Sequence, residues 1–340
     1  MNDIMPSVLT RYRGEIDAAL WKATENKSSP LYRMMEYHLG FRNEQGDEVT
    51  INAAKRVRPA LCLLSSEILG GNIINTFPAA TAIELLHNFS LIHDDIQDGS
   101  PDRHNRPTVW WQWGPAQAIN AGDGMHALAH ESLTGLLDQN DTRRFIEATK
   151  RLDQACLLIC EGQHDDIDFQ EKINLAPSEY MEMARLKTGA LMGASMALGA
   201  ICATSDPRVV DAFHNCGEKL GMAFQIVDDL LDLWPQDGNT SPPGDILSKK
   251  KTLPVIYAFS KAEVKQKRRL GSIYLKRVLD PDDVADILET IESMGAREHS
   301  VDVAQELCSS AIQDIVESVP SNIETGSIQE VADFFIRRTT

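Results

Sequence analysis

Two segments of the chain carry the same arrangement of acidic side chains in apolar surroundings. The first is "SLIHDDIQDGS", residues 90–100, with Asp94, Asp95 and Asp98; the second is "LGMAFQIVDDLLDLW", residues 220–234, with Asp228, Asp229 and Asp232. On an ideal helix, positions three, four or seven apart share a face. His87, Ser90 or Leu91, Asp94 and Asp98 therefore fall on one stripe, and Gln225, Asp228, Asp229 and Asp232 on another. The remaining positions are apolar: Ile83, Leu85, Leu86, Phe89 and Ile92 in one segment, Leu220, Met222, Phe224, Ile226, Val227, Leu230 and Leu231 in the other. A helix that is apolar except for one narrow polar stripe is a buried helix whose stripe lines an internal cavity. One acidic pair alone is most often a solvated helix end. Two in the same buried context point to a shared site. Carboxylates removed from water repel one another and need counter-charge. Six of them facing one cavity imply divalent cations, and all-oxygen ligands favour Mg²⁺ or Mn²⁺, with positions left open for phosphate and water.

The elements that must hold these stripes are helices throughout. Helical periodicity is common along the chain and strand signals are scarce. "SVLTRYRGEIDAALWKAT" reads as a first amphipathic helix, and "KRVRPALCLLSSEIL" begins another after the polar loop "GFRNEQGDEVTINAA". Long apolar helices are expected near 77–98, 114–137, 142–170, 177–204 and 207–234, then the loop "WPQDGNTSPPGD", rich in Gly and Pro. Shorter amphipathic helices such as "DPDDVADILETIESMG" and "SIQEVADFFIRR" finish the chain. No short-period repeat or low-complexity linker divides it. The expectation is one all-α domain over residues 1–340.

Composition narrows the partners. With 33 Lys plus Arg against 50 Asp plus Glu, the formal charge is −17 over 340 residues. Such a surface is unsuited to nucleic acid, whose phosphates need a basic face. Any phosphate ligand must then be held by local Lys and Arg and by divalent cations. The six cysteines show no paired spacing, as expected for reduced, mostly buried thiols in a cytoplasmic protein; Cys156 and Cys160, one turn apart, are expected in the core. No stretch of about 18 apolar residues suggests a membrane span.

At these motifs the chain resembles the trans-isoprenyl diphosphate synthases, or polyprenyl synthetases, almost end to end. "KRVRP", "DDIQD", "KTGAL", "FQIVDDLLD" and "GDILSKKKTLP" follow the order and spacing of that family's conserved segments. The resemblance implies a bundle of antiparallel helices around a deep central cavity, usually a homodimer, that joins isopentenyl diphosphate to an allylic prenyl diphosphate. It implies Asp94, Asp98 and Asp228 as Mg²⁺ ligands, with Asp95, Asp229 and Asp232 as further ligands or support behind them. It implies Arg103, Lys187 and Lys250 at the allylic diphosphate, and Lys55, Arg58 and His87 at isopentenyl diphosphate. Thr188 and Gln225 match groups whose oxygens face the developing cation, and Gln163 and Asp166 in "EGQHDDID" match another segment facing the site.

Two departures stand out. The family usually has two arginines after the first motif, and here the second is His104, with Arg106 two residues on as the candidate to compensate. The loop after the second motif usually carries a lysine near Pro242, and "TSPPGD" has none. A histidine is a poorer clamp on diphosphate than the guanidinium fork. His104 leans towards a terpene cyclase on the same fold, whereas Lys55, Arg58 and His87 lean against it. Two intact motifs argue against a non-catalytic subunit. Product length in this family commonly follows the bulk four and five residues before the first aspartate, here Ser90 and Phe89. That pattern implies geranylgeranyl diphosphate as main product, with farnesyl diphosphate next.

Overall fold

A computed structural model describes residues 5–25, 27–51, 54–139, 141–172, 174–235, 242–319 and 323–337. The expected long helices run Ile73–Gln97, Pro115–Leu133, Thr142–Glu171, Pro177–Ala203 and Pro207–Leu233. Several start where a side chain satisfies the free N–H groups of the first turn. Asn72 accepts from Ile74, Asp141 from Arg144, and Asp206 from Arg208 with Pro207 as the first helical residue.

Three elements differ from the sequence expectation. The first amphipathic stretch is broken into Ser7–Thr10 and Arg13–Thr24. A further helix, Pro30–Leu39, lies between it and the polar loop, capped by Ser29 and ended by Gly40 at φ 88°. Near the carboxyl end, Ala296–Ser318 is a 23-residue helix rather than a short one. Its buried face includes Ser300, Ala304 and Ala311, and small residues leave a weak hydrophobic period. The one β-ribbon among the described residues pairs Asp102–Arg103 with Arg106–Pro107. Its strands are two residues long, too short for an alternating pattern to register.

The first-motif helix Ile73–Gln97 packs on Val57–Ile68 and Pro115–Leu133, and the second-motif helix Pro207–Leu233 on Ala190–Ala203 and Ala296–Ser318. Val57–Ile68 also packs on Ala190–Ala203, which closes the ring of helices around the space between the motifs. A smaller hydrophobic cluster, from Ile246 to Ala296, adjoins the main one at Leu233 and Trp234. Pro177–Ala203 is long and apolar enough to cross a membrane, a stretch the sequence reading passed over; 89% of its most apolar window is buried inside the fold, as in a core helix. Cys62, Cys202, Cys216 and Cys308 are buried free thiols, but Cys160 is exposed and Cys156 half-buried, because Ala155 and Ile159 take the buried side of Thr142–Glu171 there.

Candidate active site

Asp94 and Asp228, one from each motif helix, line a single cavity of about 370 Å³. Lys55, Arg58, His87, Ser90, Arg103, His104, Lys187, Thr188 and Gln225 line it too, with Ile159, Leu191 and Phe224 as apolar wall. A second space of about 40 Å³ shares Lys187 and Gln225 with the first and is completed by Asp166, Tyr180, Asp229, Asp245, Lys250 and Lys251, among others. The expectation that all six motif carboxylates face the main cavity therefore needs correction. Asp95 points to Arg103, whose Nη2 and Nε lie 2.8 and 2.9 Å from its Oδ1, while its buried Oδ2 has no hydrogen-bond partner among the described residues. Asp98 lies 3.7 Å from Lys250 Nζ, which also reaches Asp245 at 3.6 Å. Asp229 is buried and accepts from Tyr180 Oη at 2.6 Å and Gln225 Nε2 at 2.8 Å. Asp232 accepts the backbone N–H groups of Gly244 and Asp245 at 3.2 and 2.9 Å, tying down the segment after the loop. Neighbouring aspartates on a helix point about 100° apart, so one narrow cavity cannot receive every carboxylate of such a motif.

The cationic residues are placed by unusual backbone. Arg56, at φ 52°, caps Val57–Ile68 and buries its guanidinium against Asp17, Glu84 and the Leu39 carbonyl. That anchor sets Lys55 and Arg58 at the cavity. The first-motif helix ends at Gly99, φ 64°, and the chain turns into the ribbon whose two-residue tip is His104 and Asn105, at φ 53° and 60°. Two successive left-handed residues are what a tight hairpin turn demands, and Asn and His tolerate that conformation better than most side chains. Lys187 and Thr188 lie in a π-helical turn, Arg185–Gly189, of the kind that recurs at functional sites. Gly162 lets helix Thr142–Glu171 touch that turn, since a Cβ there would lie 2.3 Å from the Lys187 nitrogen. Next to it, Gln163 is buried with neither amide atom hydrogen-bonded, and Asp166 holds Lys187 Nζ at 2.5 Å.

Two expectations meet a different outcome. Arg106 does not stand in for the missing arginine: its guanidinium donates to the carbonyls of Tyr37 and Arg42 at 3.0 and 2.8 Å and stacks 4.1 Å from the Tyr37 ring. Phe89 is not among the residues lining the main cavity; it sits edge-on to His93 and His126, with ring centres 4.8 and 5.2 Å away, while Ser90 does line it. Part of the loop that lacks the family lysine, residues 236–241, lies outside the described residues.

The polyprenyl synthetase profile matches residues 43–291 of this chain, which contain both motifs and every cavity residue named above. The chain belongs to the polyprenyl synthetase family. Geranylgeranyl diphosphate synthase of Mycobacterium tuberculosis is 34% identical over 99% of this chain and 95% of its own length. A (2E,6E)-farnesyl diphosphate synthase of the same species is also 34% identical, over 90% of this chain and 85% of its own. Among solved structures, a polyprenyl synthetase from Streptomyces coelicolor superposes with a TM-score of 0.88 at 34% identity, covering 97% of this chain and 98% of its own. A polyprenyl synthase from Caulobacter crescentus, complexed with calcium and isoprenyl diphosphate, has a TM-score of 0.83 at 25% identity over 98% of both chains. This polyprenyl synthetase is thus a prenyltransferase of the short-chain, trans type.

Electrostatics in this polyprenyl synthetase sort the site into roles. Burial, with Asp98 and Asp95 close by, pushes the Asp94 carboxyl up to about 6 although Lys187 and Arg103 pull the other way. A carboxylate so placed favours a bound cation. Burial and then Arg58 hold His87 neutral, well below the usual imidazole range. Arg58 Nη1 lies 3.0 Å from His87 Nε2, and since arginine can only donate, that nitrogen accepts and the proton sits on Nδ1. His104 is likewise lowered by burial, then by Arg103 and Lys55, so it adds no positive charge near neutral pH. Lys250 loses hydration on burial, yet Asp245, Asp166, Asp98 and Asp229 outweigh that loss and raise it.

One functional residue escaped the sequence reading. Tyr180 is fully buried and begins a chain of hydrogen bonds: Tyr180 donates to Asp229, Gln225 donates to Asp229, and Thr188 donates to Gln225 Oε1 at 2.6 Å. Gln225 Nε2 donates to Asp229 Oδ1, so Gln225 Oε1 is left to accept the Thr188 proton; burial, and then Asp245, raises the Asp229 carboxyl well above the usual carboxylate range. With its proton engaged by Gln225, Thr188 keeps its lone pairs for the cavity that both residues line. The signal available in sequence was weak: Tyr180 precedes Lys187 by seven residues, two turns of one helix.

Proposed function

We propose that this enzyme condenses isopentenyl diphosphate with an allylic diphosphate, using Mg²⁺, to give mainly geranylgeranyl diphosphate with farnesyl diphosphate next, and that it works as a homodimer. The supporting observation is the single cavity that carries Asp94 and Asp228 on opposite helices, cations at Lys55, Arg58, Arg103 and Lys187, and an apolar wall of Ile159, Leu191 and Phe224. The donor set fits a divalent ion. It is all oxygen, and it includes a buried carboxylate oxygen on Asp95 with no hydrogen-bond partner among the described residues. Asp94, Asp98 and Asp228 would hold it, with diphosphate and water oxygens completing the shell. A divalent ion so held neutralises the charge of the departing diphosphate.

The chain's own groups account for the rest of the chemistry. Arg103, Lys187 and Lys250 receive the allylic diphosphate as its carbon–oxygen bond breaks and the electron pair leaves with it. Lys55, Arg58 and neutral His87 hold isopentenyl diphosphate so that its double bond attacks the allylic cation. The new carbon–carbon bond leaves a tertiary cation, which loses a proton to give a product one five-carbon unit longer, plus diphosphate. Thr188 turns lone pairs towards the cation, and the apolar wall keeps water from trapping it. Product length is the finer part of the reading, since relatives of equal identity make two different lengths.

The test is product analysis after incubating pure protein with Mg²⁺, isopentenyl diphosphate and each allylic starter in turn. Cyclic hydrocarbons formed without isopentenyl diphosphate would replace this reading with a terpene cyclase. Phe89→Ala tests the ruler: Phe89 lies outside the lining of the main cavity, so product lengthened by at least one unit would show that its ring closes the cavity floor, and an unchanged distribution from a folded, active variant removes Phe89 from that role.

A further inference from the structure

The stretch from Lys261 to Arg277 runs against the charge of the rest of the molecule. It holds seven Lys or Arg and one acid, Glu263, a balance of +6 in a chain of −17, which leaves −23 elsewhere. Helix Val264–Tyr274 within it packs Leu270, Ile273 and Tyr274 into the smaller core. Its opposite face carries Val264, Lys265, Arg268 and Leu275, which share one side at helical spacing. Val264 is 68% exposed, Leu275 73% and, just beyond, Val278 78%.

Nearby acids engage only part of this charge. Arg269 pairs with Asp286 at 2.6 Å, Lys276 pairs with Asp283 at 2.6 Å and Asp280 at 3.4 Å, and Lys261 rests 5.5 Å from the Tyr257 ring. Lys265, Lys267, Arg268 and Arg277 are exposed and make no ion pair among the described residues. A solvated helix would show charge alone on its outer face. Here cations and apolar side chains share it, the composition of a helix that lies in a membrane interface. A free polyanion would satisfy the cations and leave Val264, Leu275 and Val278 in water. An anionic bilayer meets both, with headgroups for the cations and the acyl boundary for the apolar groups. The acidic remainder of the molecule is repelled by the same surface, so only this face can approach it.

We propose that the face built from Val264, Lys265, Arg268, Leu275 and Val278 docks the enzyme on an anionic phospholipid surface. The carboxyl end of the helix, beside Leu275, adjoins the loop that bears Lys250. Lys251 Nζ lies 4.6 Å from the Tyr274 ring centre, and Lys249 donates to the Lys276 carbonyl. Docking therefore brings that loop beside the bilayer, where a product with a long hydrocarbon tail partitions.

The experiment is co-sedimentation of the full chain with sucrose-loaded vesicles, of phosphatidylcholine alone or mixed with phosphatidylglycerol. The protein should pellet with the mixed vesicles, stay in solution with the neutral ones, and be released by added salt. Lys265→Glu with Arg268→Glu should weaken binding by about tenfold or more, and Val264→Ser with Leu275→Ser should weaken it at every salt concentration. These side chains are exposed and line neither cavity, so circular dichroism and turnover in vesicle-free buffer should match the wild type. Wild-type protein that ignores mixed vesicles overturns the proposal, as does a charge-reversed variant that binds them equally well. Should charge reversal instead change the protein's own sedimentation mass without vesicles, the face joins protein copies and lipid docking is wrong.

Discussion

The two aspartate motifs share a spacing but not a set of partners. In the first, Asp95 and Asp98 meet cations, Arg103 and Lys250, that are proposed to receive the allylic diphosphate. In the second, Asp229 meets the neutral donors Tyr180 and Gln225, and Asp232 meets backbone N–H groups. An ion pair at a cavity rim can exchange its carboxylate for a phosphate at little cost, because charge is replaced by like charge. A buried carboxylate held by neutral donors has no such exchange and serves as a fixed support. On the proposed function, the first motif trades partners when substrate arrives and the second stays still.

The two positions where the motifs agree should show the largest effect. Asp94→Ala or Asp228→Ala should lower turnover by orders of magnitude while the thermal midpoint stays close to wild type, because each removes a ligand rather than core volume. Chelating divalent ions should do the same to the unaltered enzyme. Near-normal turnover in either variant at saturating Mg²⁺ would break the pairing of the motifs across one cavity.

The contrast predicts opposite signatures for the next two variants. Lys250→Gln removes a cation that Asp98 and Asp245 approach at 3.7 and 3.6 Å; KM for the allylic diphosphate should rise about tenfold with kcat little changed. Tyr180→Phe leaves a buried carboxylate short of a donor, which should cost about 1–3 kcal/mol in urea unfolding. Its kcat should fall several-fold with both KM values little changed, as the Thr188 hydroxyl loses its fixed direction. If Tyr180→Phe shifted KM and left stability alone, the second motif would not be the rigid one.

The smallest expected effect is at the ribbon tip. His104→Arg should lower KM for isopentenyl diphosphate by a few-fold, uniform binding improving more than the chemical step. It should also lose some stability, since arginine tolerates φ 53° less well than histidine. An unchanged KM would show that Lys55 and Arg58 already saturate that diphosphate.

Much of this was readable before folding. Long helices with strong periods, such as Ile73–Gln97 and Pro207–Leu233, were legible to within a few residues, and so were Asp94 and Asp228 as residues of one site. Pro30–Leu39 was not, being short, and Ala296–Ser318 was not seen at its full length, its face being made of small residues. The hydrogen bonds of Asp229 were not legible either, because Tyr180 lies 49 residues away in sequence.

By itself the sequence determined the direction of each side chain around its own helix, because that follows from helical geometry alone. It thereby set two polar stripes, an acidic chain with one basic segment, and a family. Only the tertiary structure decided who meets whom: that Arg106 is spent on the Tyr37 and Arg42 carbonyls rather than on substrate, that Phe89 turns to His93 and His126, and that Asp232 fastens a loop. These pairings depend on helices far apart in the chain and on turns such as Gly99 and His104, where a few backbone angles re-aim everything that follows. Spacing within a segment carries no information about the neighbour that will pack against it.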